Sequence, residues 1–159
     1  MTDKEFVLDT LRRAGQAVAT TMQEQAATMT GTELNAVSDF IPDFQAAKAV
    51  KNMLERKAGD KDGFVCRSTA GRVVRLIQPY DSDTYPDEPE DLPAHWRFVW
   101  STDPAHALPF VSLATSPFTK GDCCTHEGHV WRSGQDGNIW APGTVGVKWE
   151  DLGPVQAMI

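Results

Sequence analysis

The sequence predicts an α+β protein in which N-terminal helices precede two small, diverged antiparallel β modules. Helical periodicity fills the first 40 residues, short strand-like runs follow from Pro42 onward, and those runs spell out one pattern twice. The expected divisions are a helical segment over 1–41, a first β module over 42–103 and a second over 117–159.

Thr2 followed by Glu5 has the spacing of a capping box, in which each side chain satisfies the other residue's free backbone N–H. Val7, Leu11, Ala14, Val18 and Met22 then fall three or four apart, which lines them along one helix face to about Met29. Thr30 and Glu33 repeat the box before Leu34, predicting a short second helix that the segment before Pro42 ends. The apolar stripe of the long helix must cover either the modules behind it or the same helix in another subunit.

Beyond Pro42, Phe64–Cys66, Arg72–Ile77 and Trp96–Trp100 read as strands of the first module. Asp122–Thr125, His129–Arg132 and Lys148–Leu152 read as strands of the second, with turns at Ala70-Gly71 and Glu127-Gly128. The two sets align as copies. Gly71-Arg72-Val73-Val74-Arg75 answers Gly128-His129-Val130-Trp131-Arg132, and each copy closes on a tryptophan seven residues after a proline, Pro89 to Trp96 and Pro142 to Trp149. Gly63 and Gly121 open the copies, with Cys66 and Cys124 each three residues further on. Such a repeat marks a duplicated small module rather than one large catalytic domain.

The formal charge of -7 argues against nucleic acid as a partner, because phosphate binding rests on lysine and arginine. It equally disfavours an anionic membrane surface, and no apolar run approaches the ~20 residues of a membrane span. The start of the chain lacks the basic and apolar regions of a secretory signal, so the expectation is a protein made soluble in a cytoplasm. Three cysteines do not make a disulfide framework.

Tryptophan is the residue type with most to offer a ligand here, since its face can stack on a sugar ring, yet a small module also spends tryptophans on its core. Trp96 and Trp149 hold equivalent places in the copies and are expected to be core. Trp140, in a loop beside Asn138, is the leading candidate for a ligand or partner contact, with Asn138 holding a hydroxyl and Trp131 next in line. Tyr80 and Tyr85 are the aromatic candidates of the first copy. Cys123, Cys124, His126 and His129 crowd together, but adjacent cysteines on a strand point to opposite faces, so no metal or other cofactor is expected. The acidic run Asp81 to Asp91 has Pro86 where a calcium loop needs glycine, and reads as a solvated loop. Neither a nucleophile elbow nor a phosphate-binding glycine loop appears, and the expectation is a protein that is not an enzyme.

Phe118, Gly121, Asp122, Gly128, Trp131, Trp140, Pro142 and Trp149 together resemble the chitin-binding modules of the family 5/12 carbohydrate-binding type. The first copy departs from that pattern: Phe64 replaces the aspartate, Val74 replaces the strand tryptophan, and the acidic loop is longer. The wider arrangement, helices leading through Phe40-Ile41-Pro42-Asp43-Phe44 into such a module, is similar to small proteins encoded beside phage and prophage tail-fibre genes. The resemblance implies a non-enzymatic virion component of a tail, fibre or baseplate, homo-oligomeric, with other tail or fibre proteins as partners and host-surface polysaccharide as a ligand. A free carbohydrate-binding protein and a tail-fibre assembly factor are the alternatives.

Overall fold

The computed structural model describes residues 2–7, 10 and 22–155, and it is an α+β fold. The stripe positions Leu11, Ala14 and Val18 lie outside the described residues. At the start of the chain the Thr2 and Glu5 side chains each accept from the other's backbone N–H, at 3.2 and 3.0 Å, and residues 3–7 are helical. Residues 22–26 are helical too and end in a turn at 27–28. Helix α1 (Gly31–Ala36) carries the second capping box, and a 3-10 turn over Ser38–Phe40 ends it before Pro42.

Helix α2 (Phe44–Val50) was not anticipated among the strand-like runs. Its N-cap is Asp43, whose carboxylate accepts from Ala46 N at 3.0 Å, and the alanine-rich run behind that cap has high helix propensity. Two sheets follow. The first has the order β1 (Val65–Arg67), β2 (Val73–Leu76), β3 (Trp96–Phe98), all antiparallel. The second has the order β4 (Leu108–Pro109), β5 (Cys123–His126), β6 (His129–Ser133), β7 (Trp149–Pro154), with β4 parallel to β5 and the rest antiparallel.

The copies agree in register, not only in sequence. Cys66 pairs with Val74 and Cys124 with Trp131; Leu76 pairs with Trp96 and Ser133 with Trp149. Leu76 N donates to Phe64 O and Ser133 N to Asp122 O, both at 2.8 Å, so Phe64 stands in the place of the aspartate. Gly71 and Gly128 both turn with positive φ, +91° and +80°, where a side chain is strained.

Period-two alternation splits the first sheet between two cores. Cys66, Val74, Leu76, Trp96, Phe98 and Trp100 face α2, the 101–118 segment and the second sheet, in one cluster with Phe44, Leu113, Phe118 and Cys124. Val65 and Val73 face the other way and are covered by Ala26, Leu34 and Ile41, with Met22, Met29 and Val99 packed alongside. The end of the first helical segment therefore serves the first sheet as a lid. Two polar devices fasten it. The Gln23 amide donates to Val65 O and accepts from Val65 N, both at 2.8 Å, closing the edge of β1 as a neighbouring strand would; buried Arg75 donates to Ala26 O at 2.7 Å.

Residues 101–117 do not act as a spacer. Leu108 and Pro109 form β4, Leu113 is buried, and Trp100 stacks on Phe118 with ring centroids 4.2 Å apart and planes 12° apart. Arg72 adds a tie between the halves, donating to Glu90 in the acidic loop at 3.1 Å and to Pro109 O at 2.9 Å. That loop is more structured than a solvated loop would be: Pro89–Asp91 is a 3-10 turn with Pro89 buried, Glu88 accepts from Thr69 N and Glu90 from Ser68 Oγ. Asn52 donates to Asp81 at 2.9 Å and Thr84 Oγ1 to the same carboxylate at 2.8 Å, which holds the Asp81 pKa down at about 2.

Candidate functional site

The second sheet presents its aromatic residues through alternation on β6 and β7. Trp131 on β6 and Trp149 on β7 point to the same side as Cys124, and they are diagonal neighbours because Trp131 pairs with Asp151 and Ser133 with Trp149. Both rings are half-buried against the shared core. Trp149 lies edge-on to Phe110 and Phe118, at 6.2 and 5.5 Å between centroids. The Trp131 indole N–H donates to His126 O at 3.1 Å, fixing the ring across the hairpin. Beside it, His129 Nδ1 lies 2.9 Å from Asp151 Oδ1, and this contact holds the Asp151 carboxyl below its ordinary pKa.

Trp140 lies in the loop between β6 and β7 and is 46% exposed, although its ring is large enough to bury well over a hundred Å². The loop under it is braced from several directions. Trp149 donates its indole N–H to Trp140 O at 2.9 Å, Ser112 Oγ donates to Ile139 O at 2.7 Å, and Asn138 exchanges both backbone hydrogen bonds with Phe118. A tryptophan presented on a fixed loop loses little conformational entropy when it meets a partner.

Asn138 is not a ligand contact. It is 0% exposed; its amide donates to Ser133 Oγ at 3.1 Å and its carbonyl oxygen accepts from Trp140 N at 3.2 Å, so its polar capacity serves the loop. Tyr80 is also corrected: it is 4% exposed, its hydroxyl accepts from the buried Trp96 indole N–H at 3.1 Å, and burial pushes its pKa up to about 12. Tyr85 is 55% exposed, but it stands on the acidic loop of the first half. Trp96 is fully buried, edge-on to Phe44 at 5.7 Å. Trp149 differs from its counterpart in keeping part of its ring at the surface.

All three cysteines are buried and free, and burial raises each thiol's pKa. Among the described residues there is no group of three or more His, Cys, Asp or Glu side chains placed to hold a metal ion. No described helix is long and apolar enough to cross a membrane. Sequence reasoning missed Trp100 and Phe110, which both stack on Phe118 in the shared core; for Trp100 the signal was present, because Trp96, Phe98 and Trp100 alternate along one strand direction. Comparison with protein-family models, curated proteins and solved structures finds no match to this chain.

Proposed function

We propose that this chain is a non-enzymatic component of a phage tail, fibre or baseplate, and that the Trp140–Trp131–Trp149 surface of its second sheet docks a neighbouring virion protein or host-surface glycan. The observation that carries the reading is an exposed tryptophan on a braced loop that is tied by its backbone to the partly buried Trp149, the kind of rigid aromatic presentation on which binding energy concentrates. The first half lacks such a surface, since Trp96 and Tyr80 are spent on its core. Its role is assembly: Phe40, Val50 and Leu54, exposed at 75%, 84% and 56%, offer apolar contact area to other subunits or tail proteins. The reading as a non-enzymatic protein is supported by the acidic loop, whose carboxylates at Asp81, Glu88 and Glu90 are engaged as struts.

Trp140→Ala tests the reading, because the residue is 46% exposed and belongs to neither buried cluster. The variant should melt within a degree or two of the parent and yet fail in particle incorporation or in pull-down on chitin or host polysaccharide. Failure in incorporation alone favours the structural role; failure in pull-down alone favours the free carbohydrate-binding protein. A variant that passes both removes this surface from consideration.

A further inference from the structure

A sheet edge presents a row of backbone N–H and C=O groups that can template another strand, and folded proteins ordinarily cover it. Three of the four edges here carry such a cover. On β1 the Gln23 amide serves Val65 and Pro42 O accepts from Arg67 N; on β3 Ser116 Oγ accepts from Phe98 N; on β4 Arg72 donates to Pro109 O. The outer edge of β7, the longest strand described, is open.

The pairing identifies the groups that β7 leaves unmatched. Ser133 spends its backbone on the β5 side, donating to Asp122 O and accepting from Gly121 N, each at 2.8 Å. Trp149, opposite Ser133, therefore turns its N–H and C=O away from β6, and Asp151, two residues on and opposite Trp131, does the same. These groups have no hydrogen-bond partner among the described residues. The row stops at Gly153, whose N–H is given to Asp151 Oδ1, and at Pro154, which has none. By alternation Trp149 and Asp151 lie on the face that carries Trp131, while Lys148 and Glu150, both exposed, lie on the other.

We infer that two copies of this chain join through β7, antiparallel about a twofold axis at Trp149, so that their second sheets run on as one. Charge selects this occupant and its register. Twofold pairing must bring outward-facing groups against outward-facing groups, which allows centres at Trp149, Glu150 or Asp151. A centre at Glu150 or at Asp151 sets a carboxylate directly against its own copy, which destabilises a strand pair, and the Asp151 centre also calls on the Gly153 N–H already in use. A centre at Trp149 instead sets Lys148 against Glu150 of the second copy on both sides of the axis, with reciprocal hydrogen bonds between the Trp149 backbones. Glu150 is available for that pair: its own Arg132 stands 3.8 Å away and leaves the glutamate side chain 65% exposed. The interface uses the backbone edge and the face opposite Trp140, so it does not depend on what the tryptophan surface binds.

Sedimentation equilibrium of the full chain should show a monomer–dimer equilibrium. Lys148→Glu turns both attractive pairs into repulsive ones while leaving the β6–β7 pairing and the Arg132–Glu150 contact in place, and should weaken the dimer by about tenfold or more. At concentrations where both are monomeric the variant should melt alongside the parent, which separates a lost interface from a damaged fold. Cross-linking with oxidised glutathione reads the register, since the native cysteines are buried. Lys148→Cys and Glu150→Cys combined in one chain should give a disulfide-linked dimer, because residues opposed across a strand pair lie within disulfide reach. Glu150→Cys alone should not, because diagonal neighbours lie about 7–8 Å apart. A parent that stays monomeric into the millimolar range overturns the proposal, as does a Lys148→Glu dimer as tight as the parent's. A cross-link through Glu150→Cys alone overturns the axis at Trp149.

Discussion

The two sheets share a strand register but spend the same tryptophan differently. In the first, Trp96 is covered by helix α2, touches Phe44 and Tyr80, and gives its indole N–H to a buried hydroxyl. In the second, Trp149 leans on Phe110 and Phe118, with no helix over it among the described residues, and gives its indole N–H to the loop that carries Trp140. The first copy has become a scaffold with both faces covered, while the second keeps one aromatic side partly open. A duplicated module can thus diverge by what is packed on it while its backbone pairing stays fixed.

The largest disruption of this contrast is removal of residues 1–30. It uncovers Val65 and Val73, breaks the Gln23 clasp and leaves buried Arg75 without the Ala26 carbonyl. The truncated chain should therefore fail to fold its first sheet, seen as loss of the cooperative melting transition. A folded truncation would show that the lid is dispensable. Met22 and Ala26, at the end of the segment, thus cover the module behind it, one of the two coverings open to its apolar stripe.

Next in size is the tryptophan pair itself. Trp96→Ala should cost about 3–5 kcal/mol in denaturant unfolding, as for other buried aromatics, with the Tyr80 hydroxyl losing its donor as well. Trp149→Ala should cost less, because part of that ring stays at the surface. Equal costs would mean that both copies depend on the closing tryptophan in the same way and would erase the distinction drawn above.

Gln23→Ala sharpens the comparison at the sheet edges. The first sheet's edge is closed by a side-chain amide, and losing both of its bonds to Val65 should cost about 1–3 kcal/mol. Hydrogen exchange at the Val65 amide should rise far more than exchange in the β5–β6 hairpin. Uniform acceleration across both sheets would contradict a local clasp.

The smallest effect lies in acid. Asp81, in the first half, has its pKa lowered to about 2 from 3.8 by Asn52 and Thr84, so its contribution is present above pH 4 and is lost as pH falls towards 2. Asp122, in the second half, has its pKa raised chiefly by burial, so its contribution falls as pH rises through the ordinary carboxylate range. Urea midpoints should then lose less between pH 4 and 2 in Asp81→Asn than in the parent, and more in Asp122→Asn. Slopes that change in the same direction would show that one of the two assignments is mistaken.

Much of this fold was legible in the sequence because it rests on local signals. Both capping boxes form, and all six anticipated strands are present with ends shifted by a residue or two. The copy alignment equated Val74 with Trp131 and Cys66 with Cys124, and the strand register then pairs Val74 with Cys66 and Trp131 with Cys124. What escaped was set by distant partners. Asn138 and Tyr80 look like surface residues in their polar, turn-rich neighbourhoods, and it is Ser133 and Trp140 for the one, and Trp96 for the other, that give their polar atoms a buried home. Helix α2 was hidden by its length, seven residues after a proline and an aspartate, although the Asp43 cap was there to be read. The parallel strand β4 carries a proline and only two residues, too little for any periodicity.

The stack of Trp100 on Phe118 bears on how the molecule comes apart. These residues sit on either side of the boundary between the copies, and the surrounding cluster takes side chains from both. The duplication has consequently lost its separability: excising the second copy would strand Phe118 and Cys124 in water, and the chain should unfold calorimetrically as one unit, its two halves no longer exchangeable parts.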